Sequence, residues 1–101
     1  MNPVPSRKLN HVYTKHAADF GVIGLYNKAN AARFKKVLHD HVNDPAMTVI
    51  VGTHRGVKAV THYFDPATQL NVMVDTANEL ESAWRLSPQQ VLNLLTAANV
   101  Q

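Results

Sequence analysis

The period of the apolar positions changes twice along the chain, dividing it into a helical part, a stranded part and a closing helix. From Ser6 the positions Leu9, Val12, Tyr13, His16, Ala17 and Phe20 recur at i, i+3, i+4 and i+7. That spacing predicts an amphipathic helix with Ser6 as a candidate N-cap and His16 on the inward stripe. Gly21 and Gly24 end it and open a connector, in which Leu25 and Tyr26 are expected to fold back onto the core. A second helix carries Phe34, Val37, Leu38, His41 and Val42 on one stripe and Arg33, Lys35, Lys36, His39 and Asp40 mostly opposite. Asn43-Asp44-Pro45 stops it, because the residue before a proline is pushed out of helical geometry.

The period then falls to two. Strands are predicted over about Ala46 to Thr53, Val57 to Phe64, Leu70 to Asp75 and Glu79 to Leu86. The joints His54-Arg55-Gly56, Asp65-Pro66-Ala67-Thr68 and Thr76-Ala77-Asn78 all carry turn chemistry. Joints this short make consecutive strands antiparallel neighbours, so a four-stranded meander with helices on one face is expected. Ser87-Pro88-Gln89-Gln90 is a capping box with proline at the first helical position, and Val91, Leu94, Leu95 and Ala98 supply a closing helix. The fold class is therefore α+β: N-terminal helices packed on a four-stranded antiparallel sheet, followed by a C-terminal helix. Residues 1–6, with Pro3 and Pro5, read as a leader or linker remnant of a longer polypeptide, and residues 7–101 as one domain.

Composition narrows the chemistry. A chain of 101 residues, 46% of them apolar, supports one core and is not globally disordered. It has no cysteine, which excludes disulfides and thiolate metal sites. The longest apolar run, Val49-Ile50-Val51, is far too short to span a bilayer and the N-terminus has no secretory-type hydrophobic segment, so no membrane partner is expected. Ten Lys and Arg against seven acids leave a net charge of +3, which permits an acidic partner without requiring one.

Lys15-His16 sets a titratable imidazole beside a fixed cation, a pairing able to move a proton and steady a phosphate. On the fourth strand, alternation places Leu80, Ser82, Trp84 and Leu86 on one face and Glu79, Glu81, Ala83 and Arg85 on the other. Trp84 is then either a core residue or a platform for a splayed base, and the Ser82 hydroxyl serves either a backbone carbonyl or a phosphate oxygen. Arg55 and Lys58, at a strand turn, suit phosphate contacts, whereas Lys35-Lys36 reads as a solvated helix face. His39 and His41, two apart on a helix, point in different directions, and His54 and His62 lack completing ligands, so no metal and no other cofactor is expected.

Four segments together carry a resemblance: Lys15-His16-Ala17-Ala18-Asp19-Phe20-Gly21, Gly52-Thr53-His54-Arg55, Tyr63-Phe64-Asp65-Pro66 and Ser82-Ala83-Trp84. In this order they resemble the colicin D-like toxins that cut transfer RNA in the anticodon loop. The resemblance implies the fold shared by colicin D and related ribonucleases, and a metal-independent endoribonuclease using the 2′-hydroxyl of the RNA as nucleophile. It implies His16 as the catalytic residue, with Lys15 and Ser82 assisting, and Trp84 as an RNA-binding residue needed for activity. Tyr13 stands where the family has a first lysine, so Tyr13 and Lys8 join Arg55 and Lys58 as RNA-binding candidates. Ala83 replaces a glycine of the family pattern.

His54 and His62 remain possible assistants to His16. Further implications are a transfer-RNA substrate, a cognate acidic immunity protein that blocks the active site, and a host translation factor as a possible partner. Delivery is expected as part of a larger secreted or cell-surface toxin acting in the cytoplasm of a target bacterium. The alternative is a module of the same fold that binds RNA without cutting it. A proton-transfer group beside a cation favours the enzyme, because a binder has no use for one.

Overall fold

A computed structural model describes all of residues 1–101. Its elements are α1 (Ser6–His16), a 3-10 turn (Ala17–Phe20), α2 (Lys28–Asn43), β1 (Thr48–His54), β2 (Lys58–Phe64), β3 (Leu70–Asp75), β4 (Leu80–Arg85), α3 (Pro88–Ala97) and β5 (Asn99–Val100). Ser6 is the first residue of α1 and not its cap; extended Pro5 occupies the cap position without a side-chain bond. The Asn27 side chain caps α2 by accepting from the Asn30 N–H at 2.8 Å. The capping box of α3 forms as its sequence predicts, with Ser87 and Gln90 bonding reciprocally.

Apolar burial divides the helices between the two faces of the sheet. Leu9, Val12 and Tyr13 of α1 and Phe34 and Leu38 of α2 pack with Val72, Val74, Leu80 and Ala83. Leu94 of α3 packs with Val60, Phe64, Met73, Leu86 and Val100 in a second cluster. Val72 and Val74 alternate with Met73 along β3, so the clusters lie on opposite faces. Expecting every helix on one face was therefore incorrect.

The sheet order is β4-β3-β2-β1-β5, antiparallel except for β5, which runs parallel to β1. This fifth strand is absent from the sequence expectation. It is two residues long, and its place depends on Gly52: a Cβ there would sit 1.8 Å from the Ala98 carbonyl oxygen. Only glycine admits so close a backbone approach.

A second departure lies in β4. Val74 pairs with Leu80 and Met73 with Ser82, so Glu81 is an extra residue in the ladder, a β-bulge. The bulge breaks strict alternation. Leu80 joins Ala83 on the helix side, while Glu81, predicted to share that side, turns with Ser82 and Trp84 toward a pocket.

Residues 1–6, read as a leader, are packed in part: Val4 is buried in the first cluster and the Asn2 N–H donates to the Asn78 carbonyl at 2.7 Å. Tyr26 folds back as expected, edge-on to Tyr13 at 5.2 Å, but Leu25 is 85% exposed.

Candidate active site

A pocket of about 360 Å³ opens where the last turns of α1 pass the β1–β2 turn and β4. Lys8, Lys15 and His16 from α1, Arg55 from the turn, and Ser82 and Trp84 from β4 all line it. Sequence separations of more than sixty residues are closed by a short local device. The Asp19 carboxylate accepts the Arg85 backbone N–H at 3.0 Å, and the Asp19 carbonyl accepts from the Arg85 guanidinium at 3.0 Å. The turn that follows Lys15-His16 is thus stitched to the strand that carries Ser82 and Trp84.

Gly21 closes that turn at φ +80°, in the left-handed region, and Phe20 anchors it edge-on against Phe34 at 5.9 Å. The distinctive residues of Lys15-His16-Ala17-Ala18-Asp19-Phe20-Gly21 therefore divide the work among them. Lys15 and His16 present the site, Asp19 ties it to β4, and Phe20 and Gly21 anchor and end the turn.

The imidazole of His16 is 5.5 Å from the Trp84 ring, centroid to centroid. Burial lowers its pKa from the ordinary 6.5; Asp19 opposes this, and Lys15 and His11 add to it. Neutral His16 is thus available at neutral pH to take a proton. None of Lys8, Lys15 and Arg55 has a carboxylate partner within 4.0 Å, so three cations face the pocket with their charges uncommitted. Trp84 is half-buried against the second cluster and donates its indole N–H to Gln90 Oε1 at 3.2 Å. The same Gln90 belongs to the capping box of α3, which holds the ring in place.

Arg55 sits at φ +58°, a strained conformation for a residue other than glycine, and its turn is clamped by Asn99, whose Oδ1 accepts from the Gly56 N–H at 2.7 Å. The missed strand β5 thus fixes one wall of the site.

One RNA-binding candidate is corrected, and a second is paired with carboxylates. Tyr13 is turned into the core, 5% exposed, and donates its hydroxyl to the Gly24 carbonyl at 2.7 Å, so it offers nothing to a ligand. Its position on the inward helical stripe was the sequence signal for this. Lys58 bonds Glu81 Oε1 at 2.8 Å and stands 3.6 Å from Asp75, which raises its pKa chiefly through the Glu81 bond. Its charge is shared with two carboxylates, unlike those of Lys8, Lys15 and Arg55, and it is not among the residues lining the pocket. His62 is wholly buried, with Nε2 donating to the Thr53 carbonyl at 3.0 Å and Nδ1 accepting from Asn71 at 3.0 Å. That network makes it a core residue.

Sequence reasoning passed over Glu81 and left His54 unsupported. His54 Nδ1 donates to Glu81 Oε2 at 2.8 Å. Burial pushes the Glu81 carboxyl up, but hydrogen bonds from Lys58 and His54 outweigh it and hold the group below its ordinary value. β1 and β4 are three intervals apart in the sheet, about 14 Å if it were flat, so the contact exists only because the sheet coils. No local pattern announces it.

A histidine among three cations free of carboxylates, set on a two-faced α+β sheet, is an arrangement suited to an anionic ligand. The family model for colicin D matches residues 8–94. Colicin-D of Escherichia coli is 33% identical over 84 residues, 82% of this chain and 12% of that protein's length. A ribonuclease from Escherichia coli, solved in complex with its inhibitor protein, superposes with a TM-score of 0.80 at 27% identity, covering 91% of this chain and 99% of that one. The chain belongs to the colicin D family.

Proposed function

We propose that this domain is a metal-independent endoribonuclease that cleaves transfer RNA, in the anticodon loop, and so stops protein synthesis in competing bacteria. The observation that carries this reading is the convergence of His16, Lys15, Ser82 and Trp84, with Lys8 and Arg55, on one pocket whose cations lack carboxylate partners. RNA brings its own nucleophile. His16 takes the proton of the 2′-hydroxyl, Lys15 offsets charge on the phosphorane, Ser82 bonds a non-bridging oxygen, and Trp84 holds a base so that attack is in line. An anticodon loop suits such a pocket because its bases are unpaired and can be stacked on an aromatic ring.

The family resemblance supports a cognate immunity protein over this basic pocket, its acidic surface complementary to Lys8, Lys15 and Arg55. It also supports delivery as part of a longer toxin, of which this chain would be the nuclease portion, and a host translation factor as an accessory. Incubation with total transfer RNA in EDTA should give discrete fragments ending in a 2′,3′-cyclic phosphate or its 3′-phosphate product, with a 5′-hydroxyl opposite. His16→Ala should slow this about 10²- to 10⁴-fold. A mobility shift without cleavage would make the domain a binder, and a requirement for added divalent metal would replace His16 chemistry with metal-activated water.

A further inference from the structure

We infer that His54 is a second catalytic residue, donating a proton to the leaving 5′-oxygen, and that Glu81 is its positioning residue; this rests on the ribonuclease reading above. The first observation is the direction of the His54–Glu81 bond. An ionised carboxylate only accepts, so at 2.8 Å from Glu81 Oε2 the His54 Nδ1 carries the hydrogen. Nε2 is then the atom left to hold or release a proton. The second is that Nε2 is buried without any hydrogen-bond partner, on a residue 8% exposed. Buried polar atoms are normally satisfied, and this one has no partner within the protein and belongs to a residue that lines the pocket.

The third observation is placement. The His54 ring lies 5.7 Å from the Trp84 ring, which lies 5.5 Å from His16, so both imidazoles neighbour one indole in the same pocket. The arrangement is also built at some cost to regularity. It needs the bulge that turns Glu81 out of the ladder, the coil that carries β1 toward β4, and Lys58 at 2.8 Å to hold the second Glu81 oxygen.

In the step this implies, the 2′-oxygen forms its bond to phosphorus as its proton passes to His16, and the bond from phosphorus to the 5′-oxygen breaks as that oxygen takes the proton from His54 Nε2. The products are the cyclic phosphate and a 5′-hydroxyl, and solvent restores both imidazoles.

The test uses a leaving group that needs no acid. Once the cut site is mapped with wild-type protein, transfer RNA is ligated with a single bridging 5′-sulfur at that bond, because a thiolate departs unprotonated. His54→Gln is expected to cleave the ordinary RNA about 10²- to 10⁴-fold more slowly than wild type and the sulfur RNA within about tenfold of it. His16→Ala should stay impaired on both, since the 2′-hydroxyl still needs a base. Glu81→Gln should show a smaller loss with the same rescue, and it carries the comparison should His54→Gln fail to fold, since each rescue is a ratio within one variant. Equal losses on the two RNAs, or near wild-type rates for His54→Gln on ordinary RNA, would overturn the assignment. Wild-type protein that cuts no transfer RNA at the mapping step would instead overturn the ribonuclease reading on which it rests.

Discussion

Trp84→Ala separates what the indole does for the fold from what it does for RNA. Truncating a fully buried tryptophan costs about 3–5 kcal/mol; Trp84 is only half-buried, so about 2 kcal/mol is expected. The lost indole N–H leaves no stranded acceptor, because Gln90 Oε1 still receives the Ser87 N–H at 2.9 Å. A domain of this size has about 5–15 kcal/mol to lose, so the variant should remain folded and unfold cooperatively in urea at a lower midpoint. RNA affinity should fall by about 1–3 kcal/mol, roughly 5- to 150-fold in Kd, because a stacking face is gone. Trp84→Phe should keep most of it.

Removing the ring also uncovers His16, whose pKa is lowered first of all by burial, so titration of that imidazole by NMR should move up toward 6.5. Unfolding is followed by far-UV circular dichroism, since the chain has no other tryptophan. Binding is measured on RNA blocked at the 2′-oxygen so that it cannot be cut. A stability loss near 4 kcal/mol with unchanged RNA affinity and an unmoved His16 would refute the placement of Trp84 in the site and make it a core residue.

Tyr13→Phe should lower stability by about 1 kcal/mol through the lost bond to the Gly24 carbonyl while leaving cleavage and RNA affinity unchanged; an RNA-binding defect in a folded variant would restore Tyr13 to the interface. Gly52→Ala should displace β5 and loosen Asn99 from the Arg55 turn, seen as lost amide protection at Thr53 and Gly56, and normal protection there would show that the close approach is not needed. The folded-state pKa values of His62 and His16 both lie below 6.5, so their stabilising contribution is fully present above pH 6.5 and is lost as pH falls through the lowered values. Urea stability should therefore fall from pH 7 to pH 5, by at most about 1.4 kcal/mol per pH unit for each histidine, and a flat or rising profile would contradict the buried neutral His62.

Helical periodicity, turn chemistry and the capping box located three helices and four strands, because each of those signals is local and survives without tertiary context. The same locality made Lys15-His16 and Ser82-Ala83-Trp84 visible as candidate chemistry, and the order of the segments carried the family. Tertiary structure alone decided which of the candidates meet. Asp19 ties His16 to β4 through a backbone N–H, which almost any residue at position 85 could have supplied, so composition gives no hint of it. The bulge at Glu81 and the two-residue β5 depend on pairing partners far away in the chain, and a period-two reading assigns Glu81 to the wrong face for that reason. His54 reaches Glu81 only across a coiled sheet. Coil and bulge are properties of the assembled strands, and the pairing of the second imidazole with its carboxylate is settled at that level.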